Sequence, residues 1–236
     1  MSEPSRQEIW KMFNTLSRTY DQTNRWMTFG LDLYWRKKVG SFLPRGRDLR
    51  LLDCATGTAD QILALMRHRS QIKEAIGIDL AEQMLEIGQK KVEQTPFFSQ
   101  ITLQKASILE IPFPENHFDC VTLSFGIRNV TDVPACLKEI LRVLKPGGKA
   151  LILETSIPKN PIVRHLHIWY LRNILPKVGG IISKQKYAYN YLNQTAESFP
   201  CAERFCALLE SAGFVAIKQH PLTAGAVSVY EGSKSL

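Results

Sequence analysis

A chain of 236 residues with 44% hydrophobic content can bury one substantial core, and its composition excludes disordered, collagen-like and repeat-array classes. Thirty basic against 22 acidic residues leave a formal net charge of +8, which points to an anionic partner: a nucleic acid, a phosphorylated substrate or a membrane surface. Five scattered cysteines without a CxxC pair, and five histidines without ligand spacing, argue against a disulfide framework and predict no metal site.

In chain order, Met1 to Asn14 alternates polar residues with Ile9, Trp10 and Phe13 and lacks the apolar stretch of a signal peptide, so a cytoplasmic protein is expected. A helical arm, residues 1–43, precedes the core. Strand-like runs follow at Leu51 to Cys54, Ala75 to Asp79, Ile101 to Gln104, Phe118 to Phe125 and Ala150 to Glu154. The amphipathic stretches between them are clearest at Val133, Cys136, Leu137, Ile140, Leu141 and Leu144, a helical spacing that Gly147-Gly148 is expected to stop. Strands separated by such helices build a parallel, doubly wound α/β sheet with right-handed crossovers. Residues 44–157 form this core, and residues 158–194 form an insertion. In residues 195–236 a helix around Phe205 to Ala212 precedes two runs, Val215 to Gln219 and Ala226 to Tyr230, with no helix between them, which implies an antiparallel addition at the sheet edge. A Rossmann-like seven-stranded sheet with one antiparallel edge strand is the class I S-adenosylmethionine-dependent methyltransferase fold. No membrane span is expected, because Arg172 and Lys177 interrupt the most apolar region, Leu166 to Ile182.

Ligands of open α/β sheets bind at the carboxyl ends of the strands, near the point where strand order reverses. The first such turn reads Asp53-Cys54-Ala55-Thr56-Gly57-Thr58-Ala59-Asp60, in which small residues such as Gly57 let backbone approach a ligand. It is not GxGxxG, which counts against a dinucleotide and its pyrophosphate. S-adenosylmethionine has no pyrophosphate, and Asp53 suits its cationic end. Asp79, closing the second strand, is placed to accept both ribose hydroxyls, with each charge-assisted bond worth about 1.5–3 kcal/mol. A helix cap is its plainer role. Leu80, next to it, is counted with the cofactor contacts.

Four stretches give the sequence a resemblance to the ubiquinone and menaquinone biosynthesis C-methyltransferase family over nearly its full length. They are the arm (Phe13, Tyr20-Asp21, Asn24, Gly30, Trp35-Arg36), the Asp53 to Asp60 loop, Phe125-Gly126-Ile127-Arg128-Asn129-Val130-Thr131-Asp132, and a set running from Glu154 through Leu175-Pro176, residues 188–192 and Phe199-Pro200 to Leu222-Thr223-Ala224-Gly225. The resemblance implies cofactor contacts at Thr58, Asp79, Ser107, Ile108 and Ser124. Ala59 stands where the family usually has Gly, and Ser107-Ile108-Leu109 replaces its usual Asp or Asn, Ala, Glu. It implies methylation of a prenylated quinol ring carbon, demethylmenaquinol before the ubiquinol precursor.

For that chemistry Arg128 is assigned to lowering the ring hydroxyl's pKa or positioning a water, and Asn129 to orienting the ring. Tyr20 and Asp21 complete a lid. The competing reading pairs Arg128 with Asp132 at i,i+4, with Asn129 as a helix cap. His165, His167 and His220 are weaker candidates for a base, and Phe125, Trp169, Tyr170, Ile174 and Leu175 for apolar walls. Between Glu154 and Glu197 no acidic residue occurs, whereas Lys159, Arg164, Arg172, Lys177, Lys184 and Lys186 do, so the insertion reads as a peripheral element docking on an anionic membrane. A solvated basic face is the plainer alternative. RNA is disfavoured because Ser124-Phe125-Gly126-Ile127 stands where an Asn/Asp/Ser-Pro-Pro-aromatic motif would. Another small phenol, or a cofactor-binding homologue without turnover, are the other readings; a homodimer is compatible with all of them.

Overall fold

The computed structural model describes residues 9–68, 71–175, 177–178, 191 and 194–236. Seven strands, β1 (Leu49–Cys54), β2 (Ile72–Asp79), β3 (Ile101–Lys105), β4 (Phe118–Ser124), β5 (Leu144–Thr155), β6 (Val215–Leu222) and β7 (Val227–Ser233), form one sheet in the order β3-β2-β1-β4-β5-β7-β6. The first five run parallel; β7 is antiparallel to both β5 and β6. The reversed strand therefore lies one place in from the rim, with β6 outermost.

Neighbouring residues of a strand serve opposite faces. Leu52, Val121 and Ile152 face a core closed by Leu137 and Ile140 of α5 (Val133–Val143) and by Phe205 and Leu209 of α7 (Glu203–Ser211). Leu51, Cys120 and Leu151 face the other, closed by Trp35 and Val39 of α2 (Leu31–Val39) and Ile62 and Leu65 of α3 (Asp60–His68). Cover on both faces is why these strands read as nearly continuous apolar runs. The α5 helix starts on Asp132, whose carboxylate accepts from Ala135 N at 2.9 Å, and ends at Val143. β5 begins at the next residue, so Gly147-Gly148 does not stop the helix; Gly147, at φ 74°, lies within a strand stretch whose register against β4 shifts.

The arm is two helices, α1 (Ile9–Met27) and α2, which pack on each other, and α2 packs also on α3. Trp35 Nε1 donates to Thr223 Oγ1 at 2.7 Å, and its ring lies 6.0 Å from that of Phe125. From the insertion the structure describes α6 (Pro161–Asn173), capped by Asn160 and started by Pro161. Pro176, Lys184, Lys186, and residues 188–190 and 192 of the resemblance lie outside the described residues, as do the arm's residues 1–8.

Candidate active site

Strand order reverses between β1 and β4, and a cavity of about 350 Å³ opens there. Every cofactor residue expected from the sequence lines it: Asp53, Gly57 and Thr58 from the end of β1 and its turn, Asp79 closing β2 and Leu80 just after it, Ser107 and Ile108 after β3, and Ser124 closing β4. Asp53 is level with Thr122 in the sheet, and Thr122 Oγ1 donates to it at 2.6 Å. Burial pushes the Asp53 carboxyl up to about 6, against that hydrogen bond and the field of Arg36. The Asp79 carboxylate accepts from Gly57 N at 2.8 Å and Ala81 N at 2.9 Å. It thus fixes the turn and the start of α4 (Glu82–Glu93) together, while the remaining lone pairs can still accept hydroxyls. Burial raises its pKa as well, opposed by those main-chain donors.

The turn is tight for a reason. Gly57 has φ 55°, and a Cβ on Gly88 of α4 would sit 3.1 Å from the Thr58 carbonyl carbon and 3.3 Å from the Gly57 oxygen, so only glycine lets the helix approach the loop this closely. Ala55, Ala59 and Phe125, at φ 51°, 63° and 58°, hold left-handed conformations at the same edge. For an L-residue that costs about 1–2 kcal/mol. Ala59 thus adopts the conformation that the glycine usual in the family it resembles would hold freely.

A second cavity of about 270 Å³ lies beneath the arm and shares Tyr20, Arg36 and Phe125 with the first. Arg128 lines it, and Asn129 lines the donor-side cavity. Arg128 Nη1 lies 2.5 Å from Glu154 Oε1, and Asp132 caps α5 instead, so the alternative pairing of Arg128 with Asp132 is not formed. Asn129 is buried and its Oδ1 lacks a partner. Tyr20 sits between the cavities, its phenol pKa raised by burial against the fields of Arg36 and Arg128. Asp21 lines neither. Its carboxylate accepts from Thr58 Oγ1 at 2.7 Å and Lys91 Nζ at 2.9 Å, which fastens the arm to the cofactor turn. Lys91 also pairs with Asp60, and Arg25 reaches Asp60 at 2.6 Å. Burial would raise the Asp60 pKa; Lys91 and Arg36 outweigh it and hold it down to about 2. Of the expected apolar walls, Phe125, Tyr170 and Leu175 line the second cavity, and Trp169 and Ile174 do not.

Four participants were given no role from the sequence, although Arg36 and Glu154 fall within the stretches that carry the family resemblance. Gln61 is buried, accepts from Ser124 Oγ at 2.8 Å and donates to the Arg36 carbonyl at 3.1 Å, linking β4, α3 and α2. Arg36 borders both cavities. Glu154 and Lys91 become functional only through partners 26 and 31 or more residues away. Among the histidines, His167 lines the second cavity and none lines the first; His220 pairs with Glu231, and His165 is exposed.

The sheet order, the reversed strand and an acidic pair at the ends of β1 and β2 define a class I S-adenosylmethionine-dependent methyltransferase. The described residues fit that donor: Asp79 for a diol, Asp53 for a cationic amino group, and no phosphate cradle. Solved structures agree on the fold alone. A methyltransferase of Aquifex aeolicus superposes with a TM-score of 0.61 at 16% identity over 86% of this chain and 91% of its own, and a [4+2]-cyclase, SpnF, with 0.63 at 13% over 99% and 97%. Sequence narrows the class. The model of the ubiE/COQ5 methyltransferase family matches residues 1–234, and the chain belongs to that family. It is 39% identical over 231 residues to the ubiquinone/menaquinone biosynthesis C-methyltransferase UbiE of Geotalea daltonii, covering 97% of both chains. It is 34% identical over 233 residues to a demethylmenaquinone methyltransferase of Staphylococcus aureus strain JH9, covering 99% of this chain and 95% of the other.

Proposed function

We propose that the protein methylates a ring carbon of a prenylated quinol, demethylmenaquinol first, at the junction of the two cavities. One observation carries the reading: Tyr20, Arg36 and Phe125 are walls of both, so a donor in the first and an aromatic acceptor in the second would meet there. The bound donor supplies an electrophilic methyl on a sulfonium. The chain's own contribution is alignment and dryness, since charge is neutralised as the ring carbon attacks. Phe125, Trp35, Leu171 and Leu175 provide the apolar walls. The Arg128–Glu154 pair and the unpartnered Asn129 Oδ1 supply the fixed polar groups near the junction.

The ring hydroxyl must lose its proton for the adjacent carbon to become nucleophilic. His167 supports the role of acceptor: it lines the second cavity, its Nε2 is buried without a partner, and burial lowers its pKa below the usual 6.5, against Glu197 and a main-chain contact at Ser156. A neutral imidazole takes the hydroxyl proton, the ring carbon bonds the methyl, and the displaced sulfur keeps the bonding pair. The ring C–H proton then leaves to solvent, and the regenerated oxyanion recovers its proton from His167.

The mouth of the second cavity fits a substrate with a bilayer-bound tail. Phe29, 81% exposed and at φ 53°, borders it and lies 6.3 Å from the Tyr170 ring. Trp26, Leu33 and Tyr34 of the arm, and Ile162, Leu166 and Trp169 of α6, the helix that carries Tyr170, are also exposed. Positive charge contributes less than the segment's sequence suggests, because Lys159 pairs with Glu203 and Arg172 with Glu197. The contact we propose with a membrane surface at the cytoplasmic face is therefore chiefly apolar. Among the described residues no helix is long and apolar enough to cross a membrane. Transfer of labelled methyl to demethylmenaquinol, in parallel with the demethylated benzoquinol, tests the reading. Label on the naphthoquinol supports it; donor binding with transfer to neither ring contradicts it.

A further inference from the structure

Arg36 is a guanidinium that the fold has buried in the field of Asp53 and Asp60 but left without a directly paired carboxylate. It is 7% exposed, its Nε is buried without a hydrogen-bond partner, and among the described residues it forms no ion pair, whereas Arg25, Arg128 and Arg142 each have a carboxylate. An arginine cannot shed its charge at ordinary pH, and a buried cation without a partner is strongly disfavoured. Its Cζ lies 5.4 Å from the centroid of the Phe125 ring, which offsets part of that cost and fixes the fork. The main chain of Arg36 is held in turn by Gln61.

Its place in the donor cavity says what it awaits. The fields acting on Asp53, Asp60 and Tyr20 include that of Arg36, whereas Asp79 is shifted by burial and main-chain donors. Arg36 also stacks on Phe125 just past β4, and Gln61, bound to its main chain, accepts from Ser124 of β4, so it sits on the β1/β4 side of the cavity with Asp53, with the β2 residue Asp79 on the other side of β1. A nucleoside bound at Asp79 with an amino-acid tail running toward Asp53 presents there one ammonium and one carboxylate. Asp53 complements the first. We propose that Arg36 holds the donor's α-carboxylate, so that Asp53 and Arg36 clamp the two charges of its amino-acid end and orient the sulfonium methyl toward the second cavity.

The test reads binding rather than turnover. S-adenosylhomocysteine keeps the amino-acid end, and 5′-methylthioadenosine lacks it. By titration calorimetry, Arg36→Met should weaken S-adenosylhomocysteine at least about 30-fold while changing 5′-methylthioadenosine less than about threefold, and Arg36→Lys should restore most of the loss. The unaltered protein should likewise bind decarboxylated S-adenosylmethionine at least about 30-fold more weakly than the intact donor, a comparison that needs no folded variant. Equal loss for both nucleosides, or equal affinity for the donor with and without its carboxylate, overturns the proposal. Unchanged nucleoside affinity with a raised KM for the quinol also overturns it and assigns Arg36 to the ring oxygen. Binding of none of these nucleosides by the unaltered protein would instead refute the donor site itself.

Discussion

Arg128, a wall of the second cavity, and Glu154 behind it meet at 2.5 Å, with side chains 9% and 0% exposed. Glu154 also accepts from Thr155 N at 2.7 Å, so the carboxylate is held from its own strand as well. Removing one member leaves the other buried and charged, which typically costs 3–5 kcal/mol. We expect Arg128→Ala and Glu154→Ala each to lower unfolding free energy in urea by about that amount. The double replacement Arg128→Met with Glu154→Leu should recover most of the stability and none of the methyl transfer. A double variant that is stable and active would show that the pair serves packing alone.

The raised Asp53 carboxyl makes the free protein's stability depend on pH. With a folded pKa of about 6 against 3.8, the native state binds more protons than the unfolded state between those values. The contribution is present in full below about 4 and is lost as pH rises through 6, a change of roughly 2–3 kcal/mol. Asp53→Asn should therefore flatten the stability profile over pH 4–6 and raise the melting temperature at pH 8 without donor, while weakening donor binding. A donor ammonium beside Asp53 favours its ionised form, so binding near pH 6 should release protons. Calorimetry in two buffers of different ionisation enthalpy measures that release directly.

Replacing His167 separates proton transfer from binding. His167→Gln keeps a polar group of similar reach and should lower kcat by about 10²–10⁴ with little change in KM for either substrate. The acidic limb of the kcat profile, expected below pH 6.5 because burial depresses the imidazole pKa, should disappear with it. An unchanged limb in the variant would assign the proton to another group, with Tyr20 the next to examine.

The apolar rim predicts a tail-dependent phenotype. Phe29→Ser with Trp169→Ser should reduce co-sedimentation with vesicles severalfold and impair transfer to a long-tailed quinol, with a water-dispersible short-tailed one spared. Because Lys159 and Arg172 are paired, moderate salt should weaken vesicle binding only slightly. Release by salt alone would favour the purely electrostatic reading of the insertion.

Much of the site could be read from the chain because parallel strands buried on both faces leave contiguous apolar runs, and the residues that end those runs fall on one edge. Asp53 and Asp79 became visible that way and Ser124 through the family resemblance, and all three line the donor cavity. Groups whose roles depend on pairing across elements were not legible. Asp21 belongs beside Tyr20 by sequence, yet one step along α1 turns it from the cavity to Thr58 and Lys91. Glu154 ends a strand with no local hint that Arg128 lies across the sheet edge, and Arg36 reads as one of three successive basic residues at the end of α2. Part of the charge of the insertion is offset in the same way: Glu203 and Glu197, which pair with Lys159 and Arg172, come from later in the chain.

A crystal structure of the protein with S-adenosylhomocysteine and a short-tailed demethylmenaquinol tests most directly whether two adjoining cavities bring donor and ring together. The ring carbon should lie about 3–3.5 Å from the position of the missing methyl, at the wall formed by Tyr20, Arg36 and Phe125, with the tail leaving past Phe29. A nucleoside bound away from Asp53 and Asp79, or a quinol seated outside the second cavity with both ligands present, would contradict the account.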